Sequence, residues 1–192
     1  MKRLEALQVI DDVYAEDPLV MTCGAASREL ASLGRRDSHL YLLDSMGLAG
    51  PVGLGLALAG VGPVAAVEGD GSLLMGLSMV ASIAYHRPEG LALVVLDNRE
   101  HASAARIPTQ ATAVDVAALC RGAGLDTAEV SEPDDLRAVL TDLRTDGRLG
   151  AVVARIEGGN ATGVPFLLED PAALAIRFTA FLEERHDSAL RA

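Results

Sequence analysis

Aromatic residues make up only 3% of this 192-residue sequence, and tryptophan is absent. Hydrophobic residues nevertheless reach 50%, so the core must be built from Ala, Val, Leu and Ile. Such residues suit buried parallel strands covered by helices better than an all-β sandwich. Cysteine is nearly absent as well. Cys23 and Cys120 lie far apart and in no CxxC pattern, which argues against a zinc knuckle, an iron–sulfur site or a disulfide framework. Positive charge is scarce: 16 Lys and Arg stand against 27 Asp and Glu, a formal net charge of −11. No basic cluster is available to displace counterions from nucleic acid or to meet an anionic membrane. No apolar run approaches the length of a membrane span. The first twelve residues, Met1 to Asp12, carry an early basic pair but no uninterrupted apolar stretch and no small-residue cleavage site, so they read as an amphipathic helix and not a signal peptide. A cytoplasmic, reduced setting is expected, with neither nucleic acid nor membrane as partner. The length allows one sizeable α/β domain, residues 1–192, and is short for two.

What is present alternates between strand and helix signals along the whole length. Leu4, Leu7, Ile10 and Tyr14 recur at helical spacing, and a first helix is expected to end near Asp17-Pro18. Short apolar runs at Leu19–Thr22, Leu40–Leu43, Pro63–Val67, Leu91–Leu96 and Ala151–Ile156 read as strands. Helices are expected over Ser27–Leu33, Pro51–Ala59, Ser72–Tyr85, Val114–Arg121, Pro133–Arg144 and Pro171–Arg185. The acidic residues after Pro133 suit the positive end of a helix dipole, and Pro171 suits a first turn. The stretch from Arg99 to Thr112 has no clear period and reads as a loop. No internal repeat or linker interrupts the pattern. It predicts one open, largely parallel sheet with helices on both faces. Ligands of such sheets sit at the carboxyl ends of the strands. That rule brings Gly24–Ser27, Gly69–Ser72 and Asn98–His101 to one edge.

Glu68-Gly69-Asp70-Gly71-Ser72 carries the strongest chemical signal. Glycine on both sides of Asp70 lets the backbone turn tightly and approach a ligand. A helix expected to open at Ser72 offers free N–H groups and a dipole to an anion. Asp70 would repel that anion unless a cation stood between them, and magnesium takes oxygen ligands that it shares with phosphates. Asn98, 28 positions later and at the end of the next strong strand, offers a neutral second oxygen. A backbone carbonyl in the following loop would offer a third.

Gly69-Asp70-Gly71-Ser72 followed by Asn98 resembles the magnesium–diphosphate motif of thiamine-diphosphate enzymes. The resemblance extends over about two thirds of the chain. Thr22 to Leu30, Asp44-Ser45-Met46-Gly47-Leu48-Ala49, Asp97 to His101 and Pro108-Thr109 resemble segments of sulfopyruvate and phosphonopyruvate decarboxylases. The resemblance implies that Asp70, Asn98 and the backbone carbonyl of Glu100 hold magnesium and that Ser72 holds the diphosphate. It also implies that Gly24, Ala25, Ala26 and Ser27 contact the cofactor near its diphosphate. Met46 would support the bent cofactor, and the backbone of Asp44, beside Ser45, would face its aminopyrimidine ring. Asp44 replaces a glycine of those decarboxylases, and Ser103 to Ile107 lacks their polar, glycine-rich character. Both departures bear on the substrate more than on the cofactor.

In such enzymes a glutamate that bonds the aminopyrimidine comes from a separate pyrimidine-binding domain. The expectation is therefore a β-type subunit of a heteromeric 2-oxoacid decarboxylase, with an α-type partner of similar size completing the site. A carboligase using the same cofactor and a non-catalytic regulatory subunit that kept the fold are the alternatives. His101 either contacts substrate and moves a proton or makes only a structural hydrogen bond. Ser27 with Arg28 either holds a substrate anion or serves as a helix cap and a surface arginine. Gly53 and Gly55 lack the third glycine of a dinucleotide fingerprint and read as helix packing. His39, His86 and His186 are expected at the surface, and Cys23 is expected to pack.

Overall fold

The computed structural model describes residues 1–191. Eight helices and eight strands follow one another as α1 (Arg3–Val13), β1 (Leu19–Met21), α2 (Ala25–Leu33), β2 (His39–Tyr41), α3 (Ala49–Leu58), β3 (Val64–Gly69), α4 (Asp70–Met75), α5 (Ser78–His86), β4 (Leu91–Asp97), β5 (Glu100–His101), β6 (Ile107–Pro108), α6 (Val116–Gly122), β7 (Thr127–Val130), α7 (Pro133–Asp146), β8 (Gly150–Arg155) and α8 (Pro171–Arg191). Six strands form one sheet in the order β2-β1-β3-β4-β8-β7. Every pairing in it is parallel. The expected doubly wound architecture is therefore present, and structural neighbours described below share it.

Strand periodicity explains the two layers of core. In β3 and β4, Ala65, Val67, Ala92, Val94 and Leu96 point to the face covered by α1, α2, α7 and α8, where they meet Leu7, Ile10, Leu30, Leu136, Leu140 and Leu174. Val64, Ala66, Leu91, Leu93 and Val95 point to the other face, where α3, α5 and α6 supply Leu54, Val80, Ile83, Val116 and Cys120. The central strand β4 is buried along all its length. Each fully buried Val, Leu or Ile side chain contributes about 1.5–3 kcal/mol, and the many buried alanines contribute less each while letting helices and sheet approach closely. Gly53 in α3 lies so near Ala66 that a Cβ there would stand 2.7 Å from the Ala66 Cβ. Close helix–sheet contact accounts for that glycine.

Three differences from the sequence expectations have physical causes. The helix expected over Ser72–Tyr85 is two helices, α4 and α5, with a break at Gly76-Leu77. Gly76 packs against the backbone of Gly47, and a continuous helix would not bring it there. A strand not expected, β7, pairs with β8 at the sheet edge, where its half-exposed Thr127 and Ala128 give little apolar signal. The loop after Asn98 contains the antiparallel β5–β6 pair and a short 3-10 turn at Gln110–Thr112. His39 corrects a further expectation. It is buried, only 1% exposed, because α8 packs over the edge strand β2.

No helix among the described residues is long and apolar enough to cross a membrane.

Candidate active site

The carboxyl ends of β1, β3 and β4 open into a cleft, as the sheet topology requires. From the turn after β1, Gly24, Ala25 and Ala26 line it. From the end of β3 and the start of α4 come Gly69, Asp70, Gly71 and Ser72. Asn98, Glu100 and His101 follow β4, and Met46 enters from the loop before α3. Eleven of the residues expected at the site thus share one cavity. Ser27 and Asp44 do not. They line an adjoining groove with Arg28, Ser103 and Phe166. The Ser27 hydroxyl turns back to donate to the Thr22 carbonyl, and Asp44 is exposed to solvent. Ser45 lines neither.

Asp70 is 2% exposed, and the Thr109 hydroxyl donates to its Oδ2. Burial pushes its carboxyl above the ordinary range, the Thr109 hydrogen bond pulls it down, and the nearby Asp97 carboxylate pushes it up again. A cation in the cleft would relieve both the burial and that repulsion. Asp97 itself forms an ion pair with Arg155 on the neighbouring strand, so of the Asp97-Asn98 pair only Asn98 faces the cleft. The Asn98 Oδ1 accepts from the Glu100 N–H at 3.1 Å, which fixes the amide's direction. The Glu100 side chain is occupied elsewhere. It accepts from Arg106 at 3.0 and 3.1 Å and from the Gly159 N–H at 2.5 Å. No group of three or more His, Cys, Asp and Glu side chains among the described residues is arranged to hold a metal. One carboxylate, one amide and one main-chain carbonyl form a harder, all-oxygen set of the kind magnesium takes.

His101 closes over Gly71. A Cβ on Gly71 would meet the His101 ring and stand 2.8 Å from Thr109 Cγ2, so only glycine admits this approach. The helix expected to open at Ser72 opens earlier. α4 opens at Asp70, with Gly69 as its cap residue, and the Ser72 hydroxyl is turned inward, hydrogen-bonded to Glu68, Thr22 and Gly47. With only six residues, α4 adds little dipole. Negative charge in the cleft then depends on a cation more than on the helix. Cys23 lines the cleft too. Burial pushes its thiol up, and the Glu68 and Asp44 carboxylates add to that. A protonated thiol packs and does not attack.

Three residues with no role assigned from sequence now have positions. Thr109 orients Asp70, Ser103 accepts from the Ala25 N–H at 3.0 Å at the start of α2, and Glu68 lies fully buried under the site. Thr109 stands in a segment resembling the decarboxylases and Glu68 beside the Gly-Asp-Gly turn, but neither pattern marks the side-chain contact that each makes.

Residues 23–154, over half the chain, match the family described as thiamine pyrophosphate enzyme, C-terminal TPP binding domain. The chain belongs to this family. Its thiamine-pyrophosphate-binding domain contains every residue of the cleft from Cys23 to Ser103. Among similar proteins, phosphonopyruvate decarboxylase of Streptomyces viridochromogenes is 38% identical over 183 residues, 94% of this chain and 46% of that protein. Sulfopyruvate decarboxylase subunit beta of Methanothermobacter thermautotrophicus is 35% identical over 178 residues, 93% of this chain and 94% of that subunit. The chain thus spans about half the length of the phosphonopyruvate decarboxylases it matches, and nearly the whole of the beta subunit. Among solved structures, benzoylformate decarboxylase of Polynucleobacter necessarius superposes with a TM-score of 0.67 at 18% identity, covering 80% of this chain and 32% of that one. That likeness establishes the fold.

Proposed function

We propose that this chain is the diphosphate-binding half of a thiamine-diphosphate-dependent 2-oxoacid decarboxylase, completed by a pyrimidine-binding α-type subunit of similar size. The observation that carries the reading is the convergence of Asp70, Asn98 and Glu100 on one cleft, with Thr109 and the Glu100 N–H fixing the first two. Asp70 Oδ, Asn98 Oδ1 and the Glu100 carbonyl would hold magnesium, and the glycines on either side of Asp70 leave room for a diphosphate. When bound, the cofactor supplies a carbanion for the keto carbon and a ring that takes up the electrons released with carbon dioxide. This chain's residues bind, orient and exclude water. Met46 offers an apolar support, and His101 stands over Gly71, where it can contact substrate or hold a proton.

Two features support a partner. The cleft encloses about 170 Å³, less than the roughly 300–1,000 Å³ of a pocket that buries a small molecule alone. Met46, Leu48, Met75 and Leu77 are exposed large hydrophobic residues, and they flank the single contact between Gly47 and Gly76 beside the cleft. The beta-subunit names of the relatives point the same way. Free Cys23 and Cys120 suit a reducing cytoplasm. The presence of both Asp70 and Asn98 speaks for a working site over a regulatory one.

The test is titration of thiamine diphosphate with magnesium into the chain, alone and co-expressed with its partner, followed by a 2-oxoacid screen. Magnesium-dependent binding that tightens with the partner is expected. Asp70→Ala should lower affinity at least a hundredfold and abolish carbon dioxide release. Equal binding with or without magnesium, or full turnover in Asp70→Ala, would overturn the assignment.

A further inference from the structure

Glu68 is the last residue of β3 to point toward α3, in register with the alternation that buries Val64 and Ala66. It is 0% exposed, and a carboxyl group so placed carries a desolvation cost that a leucine would not. Its partners show what it holds. Oε1 accepts from the Gly50 N–H at 3.1 Å. Oε2 accepts from the Ser72 hydroxyl at 2.5 Å. Ser72 Oγ in turn accepts from the Gly47 N–H at 2.8 Å and lies 2.8 Å from Thr22 Oγ1. The single Ser72 proton goes to Glu68, and the Thr22 hydroxyl stands within reach of both Ser72 and Glu68.

The chain of bonds joins three segments distant in sequence: the end of β1, the loop that carries Met46, and the start of α4 with Asp70. Gly47 and Gly50 bracket the turn immediately after Met46, and both hang by their main-chain N–H from this one network. Nothing apolar could replace it, because two buried main-chain donors would then lack acceptors. We propose that Glu68 is a positioning residue which, through Ser72, clamps the Met46 loop onto the start of α4 and so fixes the spacing between the cofactor's apolar support and the metal ligand Asp70. The effect on cofactor binding rests on the function proposed above; the clamp itself does not. A shift of roughly 1 Å in such a support can cost on the order of a hundredfold in a site that depends on orientation.

Amide hydrogen exchange on the full chain, combined with titration of thiamine diphosphate and magnesium in the presence of the partner subunit, tests the clamp. In Glu68→Ala, exchange at Gly47 and Gly50 should quicken at least tenfold while β4 stays protected, and cofactor affinity should fall at least tenfold. In Ser72→Ala, Gly47 should loosen more than Gly50, because Glu68 still accepts from Gly50. Glu68→Gln should recover most of the affinity, since its amide can accept from Gly50 and donate to Ser72. Leu140→Ala, in the opposite layer of the core, should lower stability without changing affinity. Exchange at Gly47 and Gly50 that matches the unaltered protein overturns the clamp, as does uniform quickening through β4 or an affinity loss shared by Leu140→Ala. Should Glu68→Ala fail to fold, the Gly47-to-Gly50 difference in Ser72→Ala decides alone. An unaltered protein that binds no thiamine diphosphate overturns the functional reading, whereas the exchange comparison still decides the clamp.

Discussion

Asp70 sits where a carboxylate is least comfortable, nearly closed to water and within the influence of Asp97, and one hydroxyl decides which way it points. Thr109→Val keeps the shape of that side chain and removes its proton. A hydrogen bond to a charged group contributes about 1.5–3 kcal/mol, so magnesium-dependent binding of thiamine diphosphate should weaken at least tenfold, with Thr109→Ser restoring most of it. Calorimetric titration of the three proteins checks this. Equal affinities would mean that packing alone orients Asp70. The same pair shows the reach of sequence reading at this scale. Asp70 and Asn98 could be found because a fixed motif and a strand end announce them. The Thr109–Asp70 bond joins residues 39 positions apart, and no spacing rule marks it. Glu68 was equally hidden, because in a sequence it looks like any charged residue beside a turn, and only the fold shows the amide groups that need it. Ser27 and Asp44 mark a different limit. The two segments containing them are legible, but which side chains of a turn face a cleft depends on backbone direction.

Secondary-structure elements were legible wherever a period ran long enough. The alternation in β3 and β4 and the caps of α7, with Pro133 in the first turn and Gly147 at φ 62° beyond the last, follow directly from residue type. The break between α4 and α5 did not, because Ser72 to Tyr85 is helical by propensity throughout and the interruption comes from a tertiary contact. Gly76 has a φ of −112°, which suits any residue, yet a Cβ there would lie 2.5 Å from the Gly47 carbonyl oxygen. Gly76→Ala should therefore cost about 1–3 kcal/mol through overpacking, with no gain from helix propensity. It should also push the Met46 loop outward. Urea unfolding measures the first effect and cofactor titration the second. A variant as stable as the original would show that the Gly47–Gly76 approach is not a tight contact.

At the scale of the whole molecule, one buried histidine ties stability to pH. His39 in β2 lies under α1 and α8, with Asp11 Oδ1 3.7 Å from its Nδ1 and the Tyr41 ring 6.2 Å away, edge-on. Arg36 holds Asp11 through two bonds of 2.8 Å, so that carboxylate is already paired. Neither ring nitrogen of His39 has a hydrogen-bond partner among the described residues. Burial pushes its pKa down to about 4, with Arg36 adding to the shift and Asp11 opposing it. A histidine of depressed pKa binds its proton more readily in the unfolded chain, whose value is about 6.5. Stability is then intact above that value and is lost progressively as the pH falls from about 6.5 to about 4, by a total on the order of 3 kcal/mol. Glu68 and Asp70 act in the opposite direction. Their raised carboxyl groups hold protons longer in the folded state, which offsets part of the loss as the pH falls toward the ordinary carboxylate range. Comparison of the protein with His39→Leu cancels those two contributions, because both chains share them. Urea unfolding at several pH values between about 7 and about 4.5 should show a steeper loss in the unaltered protein than in His39→Leu. Parallel curves would mean that His39 escapes to water or finds a partner before it is protonated. The clamp and the cleft lie at the carboxyl ends of the strands, whereas His39 opens β2. Acid should therefore loosen the α1–β2–α8 layer before it reaches the site, and amide exchange at about pH 5 should quicken in β2 before it quickens at Gly47 and Gly50.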